Sequence, residues 1–205
     1  MPTKIISINR QYGSGGREIG ALVAKLLNHA YFDKELTKRI AKTGDADIDF
    51  VNASGEGLMG RISNILMHLN IEGKDEDTLP LPDRLFLGQG RIVKQIADEG
   101  PCVIIGHLAD YFLADRTDVL TVFVHANWEH RVMRVMQRNN LNEHDAITRI
   151  KCIDKNRASF YEQYTERRWG KANNYNLSVS SSRFGIRQTA EVIASLARLD
   201  AQELA

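Results

Sequence analysis

Residues 4–27 read KIISINRQYGSGGREIGALVAKLL, and three successive patterns within them decide the fold. A β-branched apolar run, Ile5–Ile8, predicts a short buried strand. Glycines follow, and from Ile19 to Leu27 the apolar residues recur at helical spacing. A strand that passes through glycines into a helix presents backbone N–H groups at the positive end of the helix dipole. The stretch therefore predicts a phosphate-binding loop after the first strand.

This loop lacks the lysine of the common phosphate-binding pattern G-x-x-x-x-G-K-[ST]. Aligning Gly15 with the second glycine puts Arg10 at the first glycine. The lysine and hydroxyl positions then fall on Gly16 and Arg17. Aligning Gly16 with the second glycine instead puts Arg17 at the lysine and Gln11 at the first glycine. Neither register satisfies the pattern, so a plain glycine turn stays open as an alternative. Arg17 is the candidate for the missing charge, because a guanidinium can bind two phosphate oxygens at once.

The remainder of the chain alternates apolar runs with amphipathic stretches. Further strands are predicted at Ala30–Phe32, Cys102–Gly106, Leu120–Val124 and Leu177–Ser180. Helices are predicted at Glu35–Lys42, within Leu58–Leu69, at Arg84–Glu99, at Asn127–Gln137, from Asp145 onward and at Ile186–Leu199. Continuous apolar strands that alternate with helices indicate an α/β fold with a parallel sheet covered on both faces.

Composition excludes several classes of protein. The chain has 205 residues, of which 43% are hydrophobic and 26% charged, and its formal net charge is +1. A nearly neutral balance argues against a general nucleic-acid or membrane-surface partner. No apolar run reaches the roughly 18 residues of a membrane span. Cys102 and Cys152 have no metal-ligand spacing, and with no visible signal peptide the expected location is the reduced cytoplasm.

Several segments together resemble the cytidylate kinase-like proteins, relatives of bacterial cytidylate kinase among the P-loop nucleoside monophosphate kinases. The segments are ISINRQYGSGGREIG (6–20), YFDKEL (31–36), VIIGHLADYFL (103–113), FVHANWEHRVMRV (123–135), IDKNRASFYEQYTERRWGKANNYNLSV (153–179) and SSRFGI (181–186). In that family the GSGGREIG loop without lysine is the usual form. The resemblance implies a three-layer P-loop NTPase fold with a parallel sheet, an inserted acceptor-binding region and a helical lid.

The resemblance also implies a division of one P-loop kinase-like domain, residues 1–205. Its core would comprise residues 1–33, 84–130 and 172–205, and the acceptor-binding insertion would span about 34–83. A basic lid would span about 131–171, a segment that contains ten Lys or Arg and five Asp or Glu. Arg131, Arg134 and Arg138 recur there at helical spacing, and for Arg138 a solvated helix face is the preferred interpretation.

Site residues follow by matching positions. The residues expected to bind the nucleotide are Gly13, Ser14, Gly15, Gly16, Arg17 and Glu18, called the glycine loop below. The expected catalytic residues are Arg17, Asp154 and Arg157, the last two matching a D-x-x-R motif in the lid. The expected acceptor-binding residues are Asp33, Arg39, His107 and Asp110. For Asp33, a helix N-cap is an equally good interpretation. His107 replaces an arginine that is common in the family, and for it a structural role is an equally good interpretation.

The implied reaction is ATP- and Mg²⁺-dependent phosphoryl transfer to a nucleoside monophosphate, with CMP or dCMP suggested by resemblance alone. Nucleotides are the expected partners, the metal ligands are unassigned, and a homo-oligomer stays open. Two alternatives remain. One is a small-metabolite kinase on the same fold, and the other is a non-catalytic nucleotide-binding regulatory protein, which the missing lysine favours. For Trp169, the expected role is an anchor where the lid returns to the core.

Overall fold

A parallel sheet of five strands organises the part of the chain that the computed structural model describes, residues 3–33 and 81–199. The strands are β1 (Ile5–Arg10), β2 (Ala30–Phe32), β3 (Cys102–Ile105), β4 (Val119–His125) and β5 (Leu177–Ser180). They lie in the order β2-β3-β1-β4-β5, and every neighbouring pair is parallel. All five predicted strands and the three-layer parallel α/β fold are confirmed. Because β1 is central, the loop that follows it leaves the middle of the carboxyl edge.

Helices cover both faces of this sheet. They are α1 (Gly16–Leu27), α2 (Leu81–Glu99), α3 (Ala109–Phe112), α4 (Trp128–Asn139), α5 (Glu143–Thr165) and α6 (Ser181–Arg198), with a 3₁₀ turn at Ala172–Asn174. The final helix begins five positions before the predicted Ile186, and a non-helical Gly185 interrupts it at φ 75° and ψ 173°. The helices predicted at Glu35–Lys42 and within Leu58–Leu69 lie outside the described residues.

Side chains of β1 alternate between the two layers, as the two-residue period of a strand requires. Ile6 and Ile8 are fully buried in one cluster with residues of α1 and α6. Ile5 is buried on the opposite face, in a cluster with residues of α2 and α3. Burying each such side chain contributes about 1.5–3 kcal/mol. The sheet is therefore buried on both faces, and polar groups of the strands concentrate at its carboxyl edge.

The helices α4 and α5 form a pair beside that edge. Val132 and Val135 of α4 pack against Ala146 and Ile150 of α5, and the ring of Tyr12, just before the glycine loop, packs against the same cluster. None of the helices in residues 3–33 and 81–199 is long and apolar enough to cross a membrane.

Candidate active site

The glycine loop turns sharply between β1 and α1. Gly13 and Gly15 both adopt left-handed backbone conformations, with φ of 81° and 79°. A Cβ atom on Gly13 would lie 2.9 Å from the carbonyl oxygen of Arg131, and one on Gly15 would lie 2.3 Å from Cδ1 of Ile186. Glycine is therefore required at both positions. Gly15 is the N-cap of α1, so the positive end of the helix dipole faces the turn.

Buried and partly buried hydrogen bonds fix the shape of this loop. The hydroxyl of Ser14 donates to the carbonyl of Gln11 at 2.8 Å. The hydroxyl of Ser181 donates to the carbonyl of Ser14 at 2.6 Å and lies 3.1 Å from the carbonyl of His125. The side-chain oxygen of Gln11 accepts from the backbone N–H of Ala126 at 3.1 Å. The loop is thus tied to the end of β4 and to the start of α6.

Asp154 of α5 contacts the backbone just before the glycine loop. Its Oδ1 accepts from the N–H of Tyr12 at 2.8 Å, and its Oδ2 pairs with Arg131 of α4. Arg131 is only 7% exposed and also donates to the carbonyl of Tyr12 at 3.2 Å. The predicted lid aspartate therefore joins α4, α5 and the loop.

Arg157 lies one turn further along α5 and contacts the same part of the chain. Its Nη1 donates to the carbonyl of Arg10 at 3.0 Å and lies 3.9 Å from Oδ1 of Asp154. Burial lowers the pKa of Arg157 to about 10; Asp154 opposes this shift and Arg17 adds to it. Arg157 remains a cation at neutral pH, and the fold holds it at the entrance to the glycine loop.

Arg17 and Asp33 form an ion pair at the carboxyl edge of the sheet, with 2.9 Å between Nε and Oδ2. His107 follows β3 and interacts electrostatically with Asp33 and Arg17. Burial, reinforced by the charge of Arg10, lowers the pKa of His107 to about 4, while Asp33 opposes the shift. His107 is therefore neutral at physiological pH. His107 and Leu108 both have positive φ, 58° and 54°, a strained backbone of the kind found at functional sites.

Two further arginines of α4, Arg134 and Arg138, lie beside the first turn of α1. Arg134 pairs with Glu18, and Nη1 of Arg138 lies 3.6 Å from the other oxygen of that carboxylate. The side chain of Arg138 is 56% exposed, as its predicted solvated position requires, yet the residue also lines the cleft. Glu18 therefore orients both Arg134 and Arg138.

Asp110 is enclosed in a buried polar cluster. Its Oδ1 accepts from the side-chain amide of Asn9 and its Oδ2 from the hydroxyl of Tyr161, both at 2.8 Å. Burial raises the pKa of Asp110, while these hydrogen bonds oppose the shift. Both carboxylate oxygens of Asp110 thus have protein partners, and its proposed contact with an acceptor stays a prediction. Arg39 lies outside the described residues.

Trp169 contacts the core after α5 ends. The Trp169 ring meets that of Phe123 on β4 edge to face, with 5.4 Å between centroids, and the backbone N–H of Trp169 donates to Oε1 of Glu162 at 3.2 Å. The ring of Tyr175 lies 5.1 Å from that of Phe123. Trp169 therefore anchors the chain to β4 where it returns from α5.

An open cleft lies between the glycine loop and the helices α4 and α5, and its empty space, open solvent included, is about 600 Å³. Its lining residues are Arg10, Gln11, Tyr12, Gly13, Gly15, Gly16, Arg17, Arg134, Val135, Arg138, Asn139 and Arg157. Five of them are arginines, so the cleft suits a polyanion. The predicted residues Arg17 and Arg157 meet here, although they are 140 positions apart in sequence.

Arg10 is a cleft arginine to which the sequence assigned no role. It is the last residue of β1, partly buried, and its Nε is enclosed without a hydrogen bond to any described residue. Burial lowers the pKa of Arg10, and the positive charges of Arg157 and Arg17 lower it further. The one available signal was its place in the loop alignment, where a cation occupies the position of a glycine.

Comparison with known proteins gives a family and a fold. The family model described as the cytidylate kinase-like family matches residues 5–183. No curated protein matches the chain.

Solved structures share the fold at low sequence identity. An uncharacterised protein from Eubacterium ventriosum ATCC 27560 is 22% identical with a TM-score of 0.69, and the match covers 94% of this chain and 97% of that one. Shikimate kinase from Bacteroides thetaiotaomicron is 14% identical with a TM-score of 0.52, over 95% and 98% of the two chains. A gluconokinase from Sinorhizobium meliloti 1021 is also 14% identical, with a TM-score of 0.50 over 96% and 94%. These likenesses show the fold of the P-loop kinases.

Proposed function

We propose that this chain, which belongs to the cytidylate kinase-like family, transfers the terminal phosphoryl group of ATP to a nucleoside monophosphate. One observation carries the proposal: a glycine loop at the start of a helix faces cationic side chains from α4 and α5 across a single cleft. Phosphoryl transfer asks mainly for positioning and positive charge. CMP or dCMP is the proposed acceptor, on the family resemblance.

The glycine loop would hold the phosphates of ATP through backbone N–H groups. Arg17 and Arg157 would neutralise the charge that spreads over the transferring group. Asp154 would act as a positioning residue, since its carboxylate contacts both Arg157 and the N–H of Tyr12. Residues 131–171 would then form a lid that closes over the nucleotide.

The acceptor side would lie where β2 and β3 end. Asp33 and His107 are there, and Arg39 and the proposed insertion, about 34–83, would complete it. Asp110 would support this side through its bond to Asn9.

Mg²⁺ would have to reach this site with the nucleotide. Arg17 stands where the common pattern has a metal-binding hydroxyl, the hydroxyl of Ser14 donates to Gln11, and Asp33 pairs with Arg17. No group of three or more metal-ligating side chains occurs in the described ranges, 3–33 and 81–199. Among the described residues these donors do not fit a protein-built Mg²⁺ site, and the charges that these residues would offer the phosphates are arginines.

A second candidate is a small-metabolite kinase on the same fold. The neutral imidazole of His107 favours it, because the group at this position gives an acceptor phosphate no positive charge near pH 7. A regulatory protein that binds a nucleotide without turnover is the remaining alternative, and the absent lysine favours it. Both alternatives, like the main proposal, would place the chain with ATP in the cytoplasm.

The deciding experiment measures ATP consumption by the purified protein with Mg²⁺ against CMP, dCMP and the other nucleoside monophosphates. Shikimate, gluconate, pantothenate and dephospho-CoA serve as acceptors of the second kind, and Arg157→Ala is the control for contaminating kinases. Turnover with CMP or dCMP that disappears in the variant supports the proposal. Turnover only with a metabolite moves the assignment to the second candidate, and ATP binding without any turnover favours the regulatory protein.

A further inference from the structure

The side chain of Arg10, which lines the cleft, runs between two glycines. Its Cβ and Cγ lie against Gly16, where an added Cβ atom would be only 2.6 Å and 3.0 Å away from them. Its guanidinium reaches Gly106 at the end of β3, where an added Cβ atom would lie 2.1 Å from Nη1. The side chain therefore runs from the first turn of α1 to the neighbouring strand, along a path that two missing side chains leave open.

Gly16, which borders this path, can be compared with a position of the common phosphate-binding pattern. In the register that places Gly15 at the second glycine of the common pattern, the lysine position falls on Gly16 and the first glycine on Arg10. The chain thus has a cation where the pattern has glycine, and glycine where the pattern has the cation. The stem of Arg10 fills the space beside Gly16 from which a lysine would extend, so the unshifted Arg10 side chain and a lysine at position 16 exclude each other.

The surroundings of Arg10 are short of negative charge. Among the described residues, Asp33 is the carboxylate whose charge acts on Arg10, and Asp33 already pairs with Arg17 at 2.9 Å. Arg157 donates to the backbone carbonyl of Arg10 and brings a further cation to the same place. Cations packed this closely are stabilised by a bound anion that carries more than one charge.

We infer that Arg10 supplies to the outer phosphates of the bound nucleoside triphosphate the charge that the lysine supplies in the common pattern, from the opposite end of the loop. This inference rests on the proposed function, because it takes a triphosphate as the ligand of the cleft. Arg10 is then a phosphate-binding residue, and Gly16 is the residue that makes room for it.

The first test compares wild type with Arg10→Met, which keeps an unbranched stem against Gly16 and removes the charge. Kd is measured by calorimetry for ATP, AMP and inorganic tripolyphosphate. We expect Arg10→Met to raise Kd for ATP and for tripolyphosphate roughly ten- to a hundredfold, which is the range for loss of a charged hydrogen bond. Kd for AMP should rise less than about threefold. The matched control is Arg187→Met, because the side chain of Arg187 is 84% exposed on α6. A uniform loss for all three ligands, or no loss for ATP, would overturn the inference.

The second test moves the cation. Arg10→Ala should lose ATP affinity to the same degree, and Arg10→Ala/Gly16→Lys should recover most of it, because the lysine then has both space and reach. Gly16→Lys alone, which leaves Arg10 in place, should not tighten binding. A folded double variant that binds ATP no better than Arg10→Ala would contradict the exchange.

The ligands separate the two proposals. If wild type binds tripolyphosphate in an Arg10-dependent manner but not ATP, the proposed function fails, and Arg10 binds polyphosphate but not a nucleoside triphosphate. If wild type binds ATP and Arg10→Met binds it equally well, the role of Arg10 fails, whereas the proposed function fails only if no nucleoside monophosphate is turned over. If wild type binds neither ligand, both fail.

Discussion

The backbone N–H of Tyr12 donates to Oδ1 of Asp154 at 2.8 Å, although the two residues are 142 positions apart. The other oxygen of this carboxylate pairs with Arg131, a side chain that is 8% exposed. One carboxylate thus accepts a hydrogen bond from the backbone that enters the glycine loop and also pairs with a buried cation of α4. We therefore expect both the stability of the fold and nucleotide binding to depend on this contact.

Replacing Asp154 by Asn should destabilise the fold. The amide keeps an acceptor oxygen but leaves the buried Arg131 without its charge partner. Because the Asp154 side chain is partly exposed, we expect a loss of about 2–3 kcal/mol in the free energy of unfolding, measured by urea titration. Glu143→Gln, in the exposed first turn of the same helix, is the control and should cost no more than about 0.5–1 kcal/mol. Equal effects of the two variants would show that the contact contributes little.

Replacing Arg17 by Ala should weaken nucleotide binding. The variant removes a cation from the start of α1 and releases Asp33, whose negative charge then faces the phosphates. We expect Kd for ATP to rise at least about tenfold, as for the loss of one charged hydrogen bond. Arg187→Ala is the exposed comparison. If both variants bind ATP like wild type in an equilibrium titration, Arg17 only begins the helix.

Replacing Gly106 by Ala should displace Arg10. The added methyl group would overlap its guanidinium, and φ at this position is 74°. We expect a loss of about 1–2 kcal/mol in unfolding free energy from the backbone strain, together with weaker ATP binding. Gly88→Ala, in the interior of α2 with open space around it, should instead stabilise the protein by up to about 1 kcal/mol. ATP binding that is unchanged in Gly106→Ala would show that the place of the Arg10 guanidinium is unimportant.

Stability should fall as the pH drops from about 6.5 to about 4. The pKa of His107 is about 4 in the folded chain and near 6.5 when unfolded, so in this window the unfolded chain binds the extra proton. Above pH 6.5 both states are neutral and the contribution is constant. His107→Gln should remove up to about 3 kcal/mol of this pH dependence in denaturant titrations. Burial also lowers the pKa of His29 and of His125, so a smaller slope should remain. An identical slope in wild type and variant would contradict the assignment to His107.

Most of the sheet could be predicted because its strands are buried on both faces and therefore appear as short continuous apolar runs. The start of α6 could not. Its apolar periodicity begins at Ile186, and Gly185 looks like a terminus, whereas the first turn begins at Ser181. A tertiary contact accompanies that turn, the bond from Ser181 to Ser14, and no local pattern encodes such a contact.

The site divides in a similar way. The glycine loop and Arg157 carry local motifs, and the structure brings them together in the cleft. Arg10 was missed because its path depends on Gly106, which becomes a neighbour only when β1 and β3 pair. Asp110 was predicted to bind the acceptor by matching positions, and that role stays a prediction; its bonds to Asn9 and Tyr161 join residues that are far apart in sequence, so no local pattern could show them.

The hydrogen bond from Ser181 to the carbonyl of Ser14 also limits when the loop can take its final shape during synthesis, because it joins residues 167 positions apart. A ribosome adds roughly 5–20 residues per second, so Ser181 emerges about 10–30 s after Ser14. Throughout that interval the nascent loop has its sequence but lacks the partner that fixes its shape. The growing chain therefore cannot complete the hydrogen bonds of the glycine loop until β5 and the first turn of α6 have been synthesised.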